Sequence, residues 1–118
     1  MNTMLFEKVD TVFIPVQNIE KAMPFYVDVL GGTPGWTDNN GNYQTIAFGN
    51  TSVTLCSIEH KLEKKLDTSL FSLYTTSIEK AHAYIASHGI DVSEVMEEGA
   101  AYFIMKDPDC NRIEICSY

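Results

Sequence analysis

The tetrapeptide IEKA occurs at residues 19–22 and again at residues 78–81. The second copy begins 59 residues after the first, which is half of the 118-residue chain. Asn18 and Ser77 each stand one residue before a copy, and both are residue types that cap the N-terminus of a helix. The chain is therefore interpreted as an internal duplication, in which each half carries one helix at the same relative position.

Each half has the sequence pattern of a strand, a helix and three further strands. In the first half the predicted strands lie near 9–16, 34–38, 42–49 and 52–58, and the predicted helix lies at about 19–30. In the second half they lie near 69–75, 91–96, 100–106 and 111–117, with a helix at about 78–88. The final strands also correspond, because VTLCS at 53–57 aligns with IEICS at 113–117.

These elements predict an α+β fold made of two βαβββ modules. The modules are expected at about 1–58 and 68–118, joined by the charged linker 59–67. Neither half can bury its sheet alone, so the chain is expected to form a single domain. Pro24 lacks a backbone donor six residues after the first cap, so the first helix is expected to be kinked or to start late.

Composition and charge exclude several functional classes. Hydrophobic residues make up 45% and charged residues 20% of the chain, as in globular proteins. The net charge is −8 and the eight basic residues are dispersed, so no nucleic acid partner is expected, while an acidic surface weakly favours a cationic ligand. No apolar run reaches membrane-spanning length and the first residues lack a secretory pattern, so no membrane association and a cytoplasmic location are expected.

Two stretches resemble a known family: VFIPVQNIEKAMPFYVDVLGG at 12–32 and FIMKDPDCNRIEIC at 103–116. They resemble the vicinal oxygen chelate superfamily, which includes glyoxalases, bleomycin-resistance proteins and extradiol dioxygenases. The resemblance implies sheets curled into an open, barrel-like cavity with the helices outside. It also implies a homodimer, which the expected free sheet edges favour independently. The family usually has glycine after DPD, where the turn calls for a positive φ; this chain has Cys110 there.

Strand alternation separates a core face from a cavity face. The apolar stripes expected under the helices are Val12, Ile14, Val16, Val53, Leu55, Phe71, Leu73, Ile113 and Ile115. The residues predicted to line the cavity and bind a ligand are Thr11, Phe13, Trp36, Phe48, Thr54, Cys56, Leu70, Ser72, Tyr74, Tyr102, Ile104, Glu114 and Cys116. The aromatic members are either walls for a planar ligand or ordinary core and interface residues. The two cysteines are either reactive thiols or small buried hydrophobes.

Metal-dependent members of the superfamily carry metal ligands at four cavity positions. The resemblance places these positions at Thr11, Thr54, Leu70 and Glu114. Leucine cannot coordinate a metal, and neutral threonine is a poor ligand for zinc, nickel or iron. We therefore predict no metal and no cofactor. Glu114 remains a candidate catalytic residue, a binder of a cationic or hydrogen-bonding group, or a residue paired with Arg112, a tyrosine hydroxyl or water.

The favoured hypothesis is a metal-free small-molecule binding protein that resembles bleomycin-resistance members and holds an aromatic or cationic ligand. The alternative is a glyoxalase-like enzyme, a lyase, isomerase or dioxygenase, with an atypical or absent metal site. A third reading is a regulatory or interaction module with a vestigial pocket. His60, His82 and His88 do not fall on cavity-facing strand positions and are interpreted as surface residues. Three cysteines without CxxC spacing argue against a disulfide framework or a zinc site.

Overall fold

The computed structural model describes residues 5–58 and 68–118, so the predicted linker 59–67 lies outside the described residues. The strands are β1 (Phe13–Val16), β2 (Thr33–Thr37), β3 (Tyr43–Phe48), β4 (Thr51–Ser57), β5 (Phe71–Tyr74), β6 (Met96–Glu98), β7 (Ala100–Lys106) and β8 (Arg112–Ser117). The helices are α1 (Ile19–Pro24), continued by a π-helical segment (Phe25–Val29), and α2 (Ile78–Ser87). The predicted α+β fold of two βαβββ modules is confirmed, with two open mixed sheets that do not close into a barrel.

The two sheets have the same topology. Their strand orders are β1-β4-β3-β2 and β5-β8-β7-β6, and in each sheet the first and last strands of the module pair in parallel. Phe13 lies opposite Thr54 in the first sheet, and Ser72 lies opposite Glu114 in the second. The duplication seen in the sequence is therefore repeated in the strand pairing.

Strand β6 begins later than predicted. The prediction was 91–96, whereas the regular strand is Met96–Glu98. The preceding segment still runs along β7, because the Ser93 amide donates to the Ile104 carbonyl at 2.8 Å. The Ser93 hydroxyl accepts the Ile104 amide proton at 2.9 Å, so a side chain occupies a position that a strand carbonyl would fill. This local bond interrupts the ladder before residue 96.

The first helix changes its winding at the predicted weak point. Asn18 caps α1 by accepting a hydrogen bond from the Lys21 amide at 3.0 Å. Pro24 supplies no donor, and the chain then widens into a π-helical segment in which the Leu30 amide donates to the Phe25 carbonyl at 3.0 Å. The irregularity is therefore a change of winding after Pro24 rather than a late start of the helix.

The second helix follows its predicted signals more closely. The Ser77 hydroxyl accepts a hydrogen bond from the Lys80 amide at 3.3 Å, and Gly89 ends the helix with φ of +72°. Among the described residues, no helix is both long and apolar enough to cross a membrane.

One hydrophobic core joins the two modules. The largest fully buried side chains are Tyr26, Phe103, Ile14, Ile46, Leu55, Met105, Ile113 and Val16. Within the predicted stripes, Val53 and Ile115 are also buried, while Val12, Phe71 and Leu73 are half-buried against the same cluster. The assignment of the core face is therefore confirmed for the six buried residues of the stripes, whereas Thr54, which alternation placed on the cavity face, is also buried.

The interpretation of His82 as a surface residue was wrong. Its ring is half-buried and stands edge-on to the buried ring of Phe103, with the ring centres 4.9 Å apart. Its Nε2 atom lies 2.8 Å from the Ser93 carbonyl oxygen. His82 therefore joins α2 to the segment before β6, and its position on a helix gave no indication of this contact.

The DPDCN turn before β8 ties the second module to the first. The buried Asp107 carboxylate accepts hydrogen bonds from the Tyr26 hydroxyl at 2.5 Å and from the Asn111 side chain at 2.9 Å. It also accepts the backbone amides of Asp109 and Asn111 at 2.9 and 2.7 Å. Asn111 donates in addition to the Pro15 carbonyl of β1 at 2.8 Å. The motif thus has a structural role, because it satisfies a buried carboxylate with groups from both modules.

Cys110 occupies the turn position that usually holds glycine. It is exposed, and its φ is +65°, so the predicted positive φ is confirmed. The turn keeps its hydrogen bond from the Cys110 amide to the Asp107 carbonyl at 2.9 Å. The backbone is therefore not adjusted to suit a side chain, and the strain of a left-handed residue with a Cβ atom is retained.

Candidate functional site

A pair of hydroxyl groups marks the inner face of the first sheet. The Oγ1 atoms of Thr11 and Thr54 are 2.8 Å apart and share a hydrogen bond. Thr54 is buried on β4, and Thr11 precedes β1 on the neighbouring chain segment. Both residues belong to the four positions that the family resemblance predicts to lie together, and in the structure these two are in direct contact.

A carboxylate and a hydroxyl group mark the corresponding part of the second sheet. The Ser72 hydroxyl donates to Glu114 Oε2 at 2.9 Å and lies 3.3 Å from the Cys116 sulfur. Ile104 lies directly opposite Glu114, and Tyr102 lies opposite Cys116, as the predicted pairing of β7 with β8 requires. Glu114 is therefore paired with a serine hydroxyl.

A groove of about 720 Å³ is lined by residues from both modules. Three of the predicted ligand-binding residues line it, namely Thr11, Phe48 and Ser72. Thr54 and Glu114 do not line the groove, but they are hydrogen-bonded to Thr11 and Ser72, respectively. The volume falls within the range of about 300–1,000 Å³ typical of small-molecule sites. The groove is therefore lined by a hydroxyl residue of each module, Thr11 of the first and Ser72 of the second.

Several groove residues were missed from the sequence. The segment before β1 contributes Lys8 and Asp10, and the turn between β3 and β4 contributes Asn50. Lys8 precedes the predicted strand 9–16, and alternation in that strand would place Asp10 on the core face with Val12, whereas the regular strand begins only at Phe13. Asn50 belongs to a turn, for which alternation assigns no face. Their presence in the groove depends on how the β3–β4 turn meets the segment before β1, which no local pattern encodes.

Other predicted site residues lie outside this groove. They are Phe13, Trp36, Cys56, Leu70, Tyr74, Tyr102 and Cys116, whereas Ile104 lines a separate small hollow beside Arg112. Phe48 and Leu70 also pack against the hydrophobic core, and the Phe48 ring covers Gly32, where a Cβ atom would lie 2.9 Å from it. Phe48 is therefore both a groove residue and a core residue.

Exposed aromatic side chains lie on both sheets. Phe13 is 57% exposed, Trp36 62% and Tyr74 53%. Phe13 packs edge-on against Tyr43, and the Tyr74 ring contacts that of Tyr118 at 4.9 Å between centres. Exposure on this scale leaves apolar surface that a ligand or a second chain can cover.

The three cysteines are free thiols. Burial raises the pKa of the Cys56 thiol above its ordinary value, which disfavours the nucleophilic thiolate. Cys116 lies beside Ser72, as described above. The raised pKa of Cys56 therefore favours a role as a small hydrophobic residue over a role as a reactive thiol.

The four positions that the resemblance predicts to correspond to metal ligands do not fit a transition metal. Thr11 and Thr54 are neutral hydroxyls bonded to each other, Leu70 has no donor atom in its side chain, and only Glu114 offers a carboxylate. Zinc and iron sites are built from imidazole, thiolate and carboxylate groups. Within residues 5–58 and 68–118, no group of three or more His, Cys, Asp or Glu side chains is placed to hold a metal ion.

Paired βαβββ modules with a groove lined by both define a class of two-module α+β proteins. The sequence model of the Glyoxalase/Bleomycin resistance protein/Dioxygenase superfamily matches residues 8–115. The chain belongs to this superfamily. No curated protein sequence matches it.

Solved structures share the fold over nearly the whole chain. A superfamily member from Sphaerobacter thermophilus is 25% identical, with a TM-score of 0.81 over 98% of this chain and 100% of its own. TnmS3, an antibiotic-binding protein from Streptomyces sp. CB03234, is 20% identical, with a TM-score of 0.78 over 98% of both chains. A virulence protein from Salmonella typhimurium is 24% identical, with a TM-score of 0.74 over 98% of this chain and 99% of its own.

Proposed function

We propose that this protein binds a small organic molecule, aromatic or cationic, in the groove between its two modules, and that it does so without a metal ion. The observation that carries the proposal is the groove itself, where hydroxyl groups from both modules, Thr11 and Ser72, line one volume of ligand size. The TnmS3 protein, which shares the fold, is an antibiotic-binding protein, and this supports binding as the role of such a groove.

The polar groups suit a ligand with a hydrogen-bonding or positively charged group. Ser72 donates its proton to Glu114, so its oxygen remains free to accept a hydrogen bond from a ligand. Asp10 at the groove, Glu114 bonded to Ser72 and the net charge of −8 favour a cation, whereas Lys8 at the same groove works against a purely cationic ligand. Phe48 supplies the apolar contact.

The proposal includes a homodimer. Exposed aromatic rings such as Phe13, Trp36 and Tyr74 would be covered by a second copy of the chain. Light scattering at micromolar concentration should give twice the chain mass of 13.2 kDa. A mass of one chain under these conditions would contradict the dimer. A cytoplasmic location is also part of the proposal, and the three free thiols are consistent with a reducing compartment.

A thermal-shift screen of organic compounds, with and without a chelator, tests the proposal. A ligand that binds only the folded protein, at a hundred times its dissociation constant, adds about 2.7 kcal/mol to the free energy of unfolding. We expect aromatic or cationic compounds to raise the melting temperature equally in both buffers. If no compound stabilises the protein, or if the chelator abolishes every stabilisation, the proposal is wrong.

A pair of variants locates the binding. Ser72→Trp should fill the groove and abolish the ligand-induced shift. Ala83→Trp introduces the same side chain at an exposed position of α2 and should leave the shift unchanged. Equal ligand-induced shifts in the two variants would place binding somewhere other than the groove.

A further inference from the structure

Arg112 is a half-buried cation without a described partner. Its Nε atom is shielded from solvent and makes no hydrogen bond within the described chain. The one ion pair among residues 5–58 and 68–118 joins Lys106 to Asp91, and Glu114 is bonded to Ser72. A buried charged donor without an acceptor is unfavourable and uncommon, so this guanidinium calls for an explanation.

A small hollow lies beside this side chain. It has a volume of about 150 Å³ and is lined by Asp91, Val92, Ser93, Ile104, Lys106 and Arg112. That volume is about five times the share of one water molecule in the liquid, so the hollow admits a single polar group rather than a complete organic ligand. Since a typical organic ligand needs at least about 300 Å³, its remainder would lie outside the hollow.

Two positive charges converge on this hollow. Lys106 and Arg112 are direct cross-strand partners on β7 and β8, so their side chains lie on the same face of the sheet. Asp91 offsets Lys106 at a distance of 3.9 Å, but both groups of that pair are well exposed and the pair is correspondingly weak. The Nε–H donor of Arg112 remains without an acceptor among the described residues, and the planar set of guanidinium donors matches the oxygens of a carboxylate or phosphate.

We propose that Arg112, assisted by Lys106, forms an anion-binding subsite for a carboxylate or phosphate group. The proposal goes beyond the function proposed above, because the hollow is separate from the groove and its occupancy requires no groove ligand. Glu114, on the same face of β8 two residues from Arg112, limits the subsite to anions that hydrogen-bond directly to the guanidinium.

Arg112 is the only arginine of the chain, so its side-chain Nε–Hε signal in a proton–nitrogen correlation spectrum is unambiguous. The 118-residue protein is titrated with sodium phosphate, and separately with sodium benzoate, at constant ionic strength maintained with sodium chloride. We expect a saturable shift of this signal with either oxyanion. Neutral benzamide should cause no shift. A signal that responds to phosphate and benzoate no more than to chloride, or that moves without saturation, overturns the proposal.

Comparison of the oxyanions distinguishes a free anion from the anionic end of an organic molecule. Sodium acetate is titrated in the same way. If benzoate binds more tightly than acetate, the subsite holds the anionic end of an organic ligand that extends out of the hollow. Equal affinities for benzoate and acetate indicate a site for a free anion. Lys106→Met should weaken phosphate binding about two- to fivefold. Lys80→Met removes the same charge from the exposed surface of α2 and should have no effect. Equal weakening by both variants would reveal a general charge effect and contradict the subsite.

Discussion

Replacing Tyr26 by phenylalanine removes one hydroxyl group from the contact between the two modules. That hydroxyl is fully buried and donates to the buried Asp107 carboxylate. A hydrogen bond to a charged group contributes about 1.5–3 kcal/mol. The carboxylate retains three other donors, from Asp109 and Asn111, so we expect a loss near the middle of that range, about 2 kcal/mol.

The loss can be measured by urea and thermal unfolding at fixed protein concentration. A reduction of about 2 kcal/mol should lower the urea midpoint by about 1 M with an unchanged slope. It should lower the melting temperature by about 8 °C for a domain of this size. An altered slope would mean that the variant changes the folded or unfolded ensemble rather than one bond.

Tyr84→Phe is the matched control. The Tyr84 hydroxyl also joins the two modules, because it donates to the Val29 carbonyl at 2.6 Å, but the residue is 45% exposed and its acceptor is neutral. Its loss should cost at most about 1 kcal/mol. If Tyr84→Phe destabilises the protein as much as Tyr26→Phe, the buried carboxylate does not account for the contact between the modules.

Three further predictions concern the titration of Tyr26, the strain at Cys110 and the content of metal. Burial, and then the Asp107 charge, raise the pKa of Tyr26, so the unfolded chain loses this proton near pH 10 while the folded chain keeps it. The free energy of unfolding should therefore fall above pH 10 by up to about 1.4 kcal/mol per pH unit, and by less in Tyr26→Phe. Equal falls with pH in the parent protein and in Tyr26→Phe would contradict this. Cys110→Gly should raise the free energy of unfolding by about 0.5–1 kcal/mol, because the relief of left-handed strain exceeds the entropy that glycine adds to the unfolded chain. Cys110→Ala keeps the Cβ atom and should not raise it. Elemental analysis of the dialysed protein should find no stoichiometric zinc, nickel, iron or manganese. The triple variant Thr11→His, Thr54→Glu and Leu70→His should bind a metal. Metal in the parent protein, or none in the triple variant, would contradict the assignment of these positions.

The repeated pattern predicted the fold because its signals are local. The caps at Asn18 and Ser77 and the alternation around Glu114 each depend on residues close in sequence, and the structure has them as expected. The duplication then identified which strands correspond. The late start of β6 could not be predicted, because it depends on a bond between Ser93 and the distant amide of Ile104.

The candidate site was less predictable than the fold. Strand alternation assigned Thr11 and Ser72 to the inner faces, and both line the groove, but so do Val12 and Leu73, which alternation assigned to the core face. Alternation does not indicate which positions along one face line the same groove. Tyr74 was therefore predicted to lie in one site with Thr11 and Ser72, although it lies outside the groove. Asn50 reaches the groove from a turn, and the Arg112 Nε atom has no acceptor among the described residues. Both features depend on tertiary structure.

The central claim is that a small organic molecule binds in the groove without a metal. The most direct test is a backbone proton–nitrogen correlation spectrum, recorded with a chelator present while the best compound from the thermal-shift screen is added. The largest saturable shifts are predicted at the amides of Thr11, Ser52 and Ser72, which line the groove. Shifts concentrated on the exposed face of α2, or a response that appears only when a divalent metal replaces the chelator, would contradict the claim.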